Sequence, residues 1–170
     1  MKVMDKTIEK KHLPLYGIGP ALCFPMAVVS AIGIWLSIRG YIPGTIESPP
    51  VNWVFTIIGI LLIAEGLTLY FGADLNGNLQ ENIRSNHLKT NGAYRFVRNP
   101  CYCLFLLGCT GAICIAHNAV LLVLPFLFWA EMTVVLIHTE EKWLAELYGQ
   151  EYIDYCKKVN RCIPWIPKSR

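Results

Sequence analysis

The side chains best equipped for chemistry fall into two clusters. Tyr94, Arg95, Arg98, Asn99 and Tyr102 crowd the stretch TNGAYRFVRNPCY at 90–102, and Glu140 and Glu141 follow beyond a long apolar run. Arginine offers a fork of donors for a carboxylate or phosphate, tyrosine a π-face, and glutamate an acceptor for hydroxyls or an ammonium group. A pocket built from these suits a polar molecule with a ring, a sugar and a charged end. The same residues also suit a plainer purpose, with arginines on lipid headgroups and tyrosines in an aromatic belt. Residue chemistry alone leaves both open.

The elements that must hold these clusters are apolar. Hydrophobic residues make up 54% of the 170-residue chain and charged residues 16%, against roughly 25% charged in ordinary soluble domains. That imbalance predicts an all-α membrane protein forming a single membrane domain over 1–170. The net charge of +3 is small and scattered, and no basic stripe with interleaved aromatics suggests nucleic acid. Seven cysteines lack a CxxC pair or a well-spaced histidine, which argues against a metal or disulfide framework.

Leu15 to Ile38 carries no formal charge and is long enough to cross a hydrocarbon core of ~30 Å. It is too long for a signal-peptide core, so a retained helix is expected. A Gly- and Pro-rich connector, 39–50, leads to a second span over Val51 to Phe71, interrupted only by Glu65. A carboxylate there either faces protein or water for a purpose or lies hydrated at the interface. Residues 73–78 read as a turn and Leu79 to Ser85 as a short interfacial helix. Asn99 is placed to cap a helix that starts at Pro100. Cys101 to Ala116, a His117-Asn118 turn and Ala119 to Ile137 then form a tight helical hairpin, its second arm kinked at Pro125. From His138 the chain turns amphipathic, with Trp143, Leu144, Leu147 and Tyr148 on one face and a break at Gly149, as expected for helices lying on a membrane surface.

About four spans result, and the basic residues orient them. Of 15 Lys and Arg, four precede the first span, four lie between residues 72 and 100, and six follow the hairpin, leaving Arg39 alone on the other side. The positive-inside rule puts the N-terminus, the 72–100 loop with the polar clusters, and the C-terminal tail on the cytoplasmic side. The short hairpin turn brings the two polar clusters together at that face.

The runs GAYRFVRNPCY and EEKWLAELYGQEYIDYCKKVNRCIPW, separated by an apolar hairpin, resemble the isoprenylcysteine carboxyl methyltransferase family and the wider phospholipid methyltransferase-like membrane proteins. The likeness covers 86–165. It implies a cytosol-facing methyltransferase that uses S-adenosylmethionine, and the chain then divides into the two N-terminal spans over 1–71, which match only as apolar helices, and a cofactor-binding core over 72–170. Carried over by position, the cofactor contacts would be Asn86, His87, Leu88, Lys89, Tyr94, Asn99, Pro100, Cys101, Tyr102 and Glu140. Tyr94 and Tyr102 would flank the adenine or sulfonium, Glu140 would accept from the ribose hydroxyls or the amino group, and backbone donors beside Pro100 would hold the carboxylate. Glu140, Glu141 and Arg98 are the candidate catalytic residues, and no metal is implied.

Two departures bear on the acceptor. The family's R-H-P step is R-N-P here, and the Asn99 amide cannot titrate, which excludes a general base at this position. The arginine that contacts prenylcysteine, just before the glutamates, is replaced by apolar residues around Leu136. The implied partner is therefore a lipophilic, membrane-resident acceptor rather than prenylcysteine specifically. A carboxylate or thiolate acceptor needs no base. An amine would have to lose a proton to Glu65, Glu140, Glu141 or His138. Two other classes compete: an NADPH-dependent sterol-type reductase, whose family shares an R-x-P-x-Y step, and a non-enzymatic lipid-binding membrane protein.

Overall fold

A computed structural model describes residues 17–74 and 87–166. It is built from α-helices: α1 (Gly19–Ile38), α2 (Pro49–Asp74), α3 (Pro100–Ile115), α4 (Leu124–His138), α5 (Glu140–Tyr148) and α6 (Gln150–Lys158). The expected interfacial helix over 79–85 lies outside the described residues.

Three stretches are long and apolar enough to cross a membrane: Gly19–Ile38, Pro49–Ala73 and Leu121–Tyr148. Their outer faces carry Phe24, Trp53 and Phe126, each 70% exposed or more. Water would not tolerate so continuous an apolar surface, whereas lipid tails would. On α1 the buried residues Leu22, Cys23, Met26, Ser30, Gly33 and Ser37 form one stripe, so the inward face is the one with small side chains. Helix α3, 16 residues long, spans about 24 Å and is shorter than a bilayer core.

The closest packing joins α2 and α3, and glycine permits it. A Cβ on Gly59 would come within 2.6 Å of the Gly111 carbonyl, and a Cβ on Gly66 within 3.3 Å of the Leu104 backbone. The pairs Gly59–Gly111 and Gly66–Leu104 run in opposite order along the two helices, so α2 and α3 are antiparallel. Without a hydrophobic drive between helices in lipid, such close backbone approach is what holds them.

Several expectations shift. Helix α2 runs on to Asp74, absorbing Ala73 and Asp74, which read as turn; Lys89 Nζ donates to the Ala73 carbonyl at 2.5 Å and caps the added turn. Pro125 does not kink a helix interior. It occupies the first turn of α4, just after a 3-10 turn at Leu121–Val123, where a proline N–H is not needed. Gly149, with φ +58°, separates α5 from α6. Leu144, Ala145 and Tyr148 pack against buried Tyr152 and Tyr155, while Trp143 is exposed.

The hairpin turn is a second polar centre. His117 takes a left-handed φ of +51°, and Asn118 is 1% exposed. The Asn118 amide donates to Ser37 Oγ at 2.9 Å and to the Ile42 and Pro43 carbonyls, and its oxygen accepts from the Val120 and Leu121 N–H groups. The connector after α1 pairs with the turn through Ile46 N–H to the His117 carbonyl at 2.7 Å.

Candidate active site

At the opposite end of α3 the chain makes no regular strand, yet its backbone is tightly bound. Val97 bridges to Asn160, Arg98 N–H donates to the Asn160 carbonyl at 2.8 Å, and Trp165 N–H donates to the Phe96 carbonyl at 3.1 Å. The 160–165 tail thus lies along 96–99. Asn99 stands at the N-cap position of α3 but makes no capping bond. Its amide instead donates to the Arg161 carbonyl at 3.1 Å, fastening the tail to the start of the helix. The buried Cys103 thiol donates to the Cys162 carbonyl at 2.8 Å in the same seam.

Both glutamates of the second cluster reach the first. Arg98 Nη2 lies 3.0 Å from Glu141 Oε1, with the two side chains 8% and 14% exposed. Arg161 grips the same carboxylate with both ends of its fork, at 2.6 and 2.9 Å, a bidentate arrangement that is stronger than a single contact. The hydrogen bond to Glu141 raises the affinity of Arg161 for its proton. A second Arg98 nitrogen donates to Cys156 Sγ at 2.5 Å, and its Nε, buried, has no partner among the described residues. Glu141 and Arg98, the candidate catalytic residues beside Glu140, therefore join α5, α6 and the 96–99 segment.

Glu140 is engaged differently. Tyr102 Oη donates to its Oε1, and the Ile18 N–H donates to the same oxygen at 2.9 Å. Among the described residues none bonds to Oε2, and the side chain is partly exposed. Glu140 thus has acceptor capacity left. The Ile18 contact was not legible in the sequence: it brings the start of α1, read as plain scaffold, to the same carboxylate.

Around this pair the remaining predicted residues spread along one end of the helices. Tyr94 lies in a 3-10 turn at Gly92–Arg95, with Lys89 Nζ 5.6 Å from its ring centroid and its carbonyl accepting from Tyr155 Oη at 2.5 Å. Leu88 packs on the Tyr152–Tyr155 cluster, and His87 is exposed. Pro100 and Cys101 open α3, whose first-turn N–H groups lack intrahelical partners by geometry. Asn86 lies outside the described residues. Of the possible proton acceptors, Glu65 and His138 are exposed on helix surfaces, and Leu136 is wholly buried core. That leaves Glu140 as the acidic group with a free oxygen in the cluster. Among the described residues no group of His, Cys, Asp and Glu could hold a metal ion.

The chain is similar in sequence to known methyltransferases. The chain is 27% identical over 149 residues to protein-S-isoprenylcysteine O-methyltransferase A of Arabidopsis thaliana, covering 80% of this chain and 74% of that protein. It is 28% identical over 127 residues to protein-S-isoprenylcysteine O-methyltransferase of Schizosaccharomyces pombe, covering 69% of this chain but 54% of that one. For the Dictyostelium discoideum protein of the same name the identity is 25% over 170 residues, with 97% and 67% covered. No solved structure matches the chain. The phospholipid methyltransferase family matches residues 54–151, more than half of the chain and both polar clusters up to Glu151, and the protein belongs to that family.

Proposed function

We propose that the protein is an S-adenosylmethionine-dependent methyltransferase acting on a lipophilic acceptor in the membrane. The observation that supports this most is the meeting of Tyr102 in α3 with Glu140 in α5, which unites two motifs far apart in sequence. The relatives named for S-isoprenylcysteine methylation support a lipid-modified acceptor. The loss of the family's arginine at the Leu136 region leaves prenylcysteine itself less favoured than other lipophilic carboxylates, thiolates or amines.

The donor set fits such a cofactor. Glu140 Oε2 would accept from hydroxyl or ammonium groups, and the Tyr94 and Tyr102 faces would favour a cationic sulfonium. The first turn of α3 beside Pro100 would receive a carboxylate. When bound, S-adenosylmethionine supplies an electrophilic methyl group. The chain aligns the acceptor and keeps water out, which can lower a barrier substantially without a protein base. The Arg98–Glu141–Arg161 network fixes the tail over 96–99, and α5 and α6 would form the lid on the site. The basic residues that gather at this end of the helices support a cytosolic position for it, with α3 as a short fourth span. The acceptor would enter laterally between helices.

Calorimetric or thermal-shift titration of the detergent-solubilised protein with S-adenosylmethionine, S-adenosylhomocysteine and NADPH tests this. Stabilisation by the first two supports the proposal. Stabilisation by NADPH alone makes the protein a reductase, and no response to any of the three makes it a lipid-binding scaffold.

A further inference from the structure

We propose that Gly17 is a positioning residue of the site, orienting the Glu140 carboxylate through the backbone at the start of α1. This rests on the S-adenosylmethionine reading and adds to it a part of the chain that carries no motif. Gly17 has φ +52°, a left-handed conformation that favours glycine. A Cβ at this position would land on Glu140 Oε1. The next residue, Ile18, sends its N–H to that same oxygen at 2.9 Å. Gly19 packs beside the Tyr102 ring, whose carbons lie 3.6–3.7 Å from where a Cβ would sit. The Ile18 amide and the Tyr102 phenol converge on one carboxylate oxygen in the space Gly17 leaves, and the other has no partner among the described residues.

Charge agrees with geometry. Glu140 is in the first turn of α5 and bonded to the residue preceding α1, so the positive ends of two helix dipoles face its carboxylate. A side chain at residue 17 would push the carboxylate away, breaking the Ile18 and Tyr102 bonds at once and turning Oε2 off its course. The fold itself needs no such contact to form α1, since Pro20 already starts the helix.

The test is S-adenosylmethionine affinity, by calorimetry, of wild type, Gly17→Ala, Gly40→Ala, Glu140→Asp and Gly17→Ala/Glu140→Asp. Gly40 has φ +77° with no atom within 4 Å of its Cβ position, so Gly40→Ala measures backbone strain alone. The expected result is that Gly17→Ala binds at least about tenfold more weakly and, having also lost the Ile18 and Tyr102 bonds, melts below Gly40→Ala. In the Glu140→Asp background, where the carboxylate is one methylene shorter, adding Gly17→Ala costs clearly less, a coupling that independent sites do not show. Gly17→Ala binding as wild type, or losses that simply add, overturns the inference while leaving the function standing. Failure of wild type to bind S-adenosylmethionine overturns both.

Discussion

The two ends of α3 carry polar clusters that resemble each other in burial and differ in bookkeeping. At the turn, Asn118 is neutral, buried, and has both its amide nitrogen and oxygen engaged with backbone and Ser37. At the other end, Arg98, Glu141 and Arg161 are charged and tightly paired, yet among the described residues Arg98 Nε has no partner and one Glu140 oxygen accepts no bond. The Asn118 side chain is fully engaged and serves to tie the turn to the connector. Glu140, partly exposed, keeps acceptor capacity that a ligand could use, whereas the buried Asn118 side chain has none left over. The second end is also where residues 94–102 and 140–141 meet, the part of the chain that resembles methyltransferases.

The contrast can be broken most severely at Glu141. Glu141→Ala leaves Arg98 and Arg161 with no carboxylate between them, and removing one partner of a buried ion pair typically costs about 3–5 kcal/mol. A large drop in melting temperature in detergent is expected, with loss of cofactor binding following from the displaced tail; an unchanged melting temperature would remove Glu141 from its clamping role. Asn118→Ala is next. It strands the Val120 and Leu121 N–H groups and the connector carbonyls, a loss of about 1–3 kcal/mol. Here the folded fraction should retain its affinity for S-adenosylmethionine, so equal losses in stability and affinity would show that the two ends are not functionally distinct.

Glu140→Gln reverses the pattern. Oε1 can still accept from Tyr102 and Ile18, so stability should change by less than about 1 kcal/mol, while affinity for S-adenosylmethionine falls by about tenfold through loss of a charge-assisted bond. Calorimetry and thermal melting on the same sample separate the two effects. The smallest effect concerns alkaline pH. Burial pushes the Cys162 thiol from an ordinary 9.0 up to about 12, and burial likewise pushes the Tyr152 and Tyr155 phenols up. Each group is protonated in the fold where the unfolded chain would ionise. The stability they protect is intact below pH 9 and is lost progressively as the pH climbs from 9 toward 12. Cys162→Ala should flatten the first part of that decline in a melting-temperature profile against pH; an identical profile would place the alkaline weakness elsewhere.

Spans and site were legible in different measure. The helices were readable because lipid demands long uncharged runs, and Pro20, Pro100 and Pro125 all sit in first turns. The last of these was misread as an interior kink, since no local signal marks the 3-10 turn at 121–123 that ends just before it. The meeting of Tyr102 and Glu140 followed from the hairpin. Glu141, by contrast, read as a candidate catalytic residue beside Glu140, because the sequence does not show the arginine that returns from residue 161 to hold it. Backbone bonds were the least visible: Ile18 N–H on Glu140 and the 96–99 segment against 160–165 depend on groups every residue carries. The Lys89 cap that extends α2 to Asp74 is a long-range bond with no helical spacing to announce it.

The most direct test of the central claim is photo-cross-linking of radiolabelled S-adenosylmethionine, followed by peptide mapping of the labelled sites. The account predicts label on peptides containing Tyr94 to Tyr102 or Glu140, displaced by S-adenosylhomocysteine and not by NADPH. Displaceable label confined to the turn around Asn118 would contradict it.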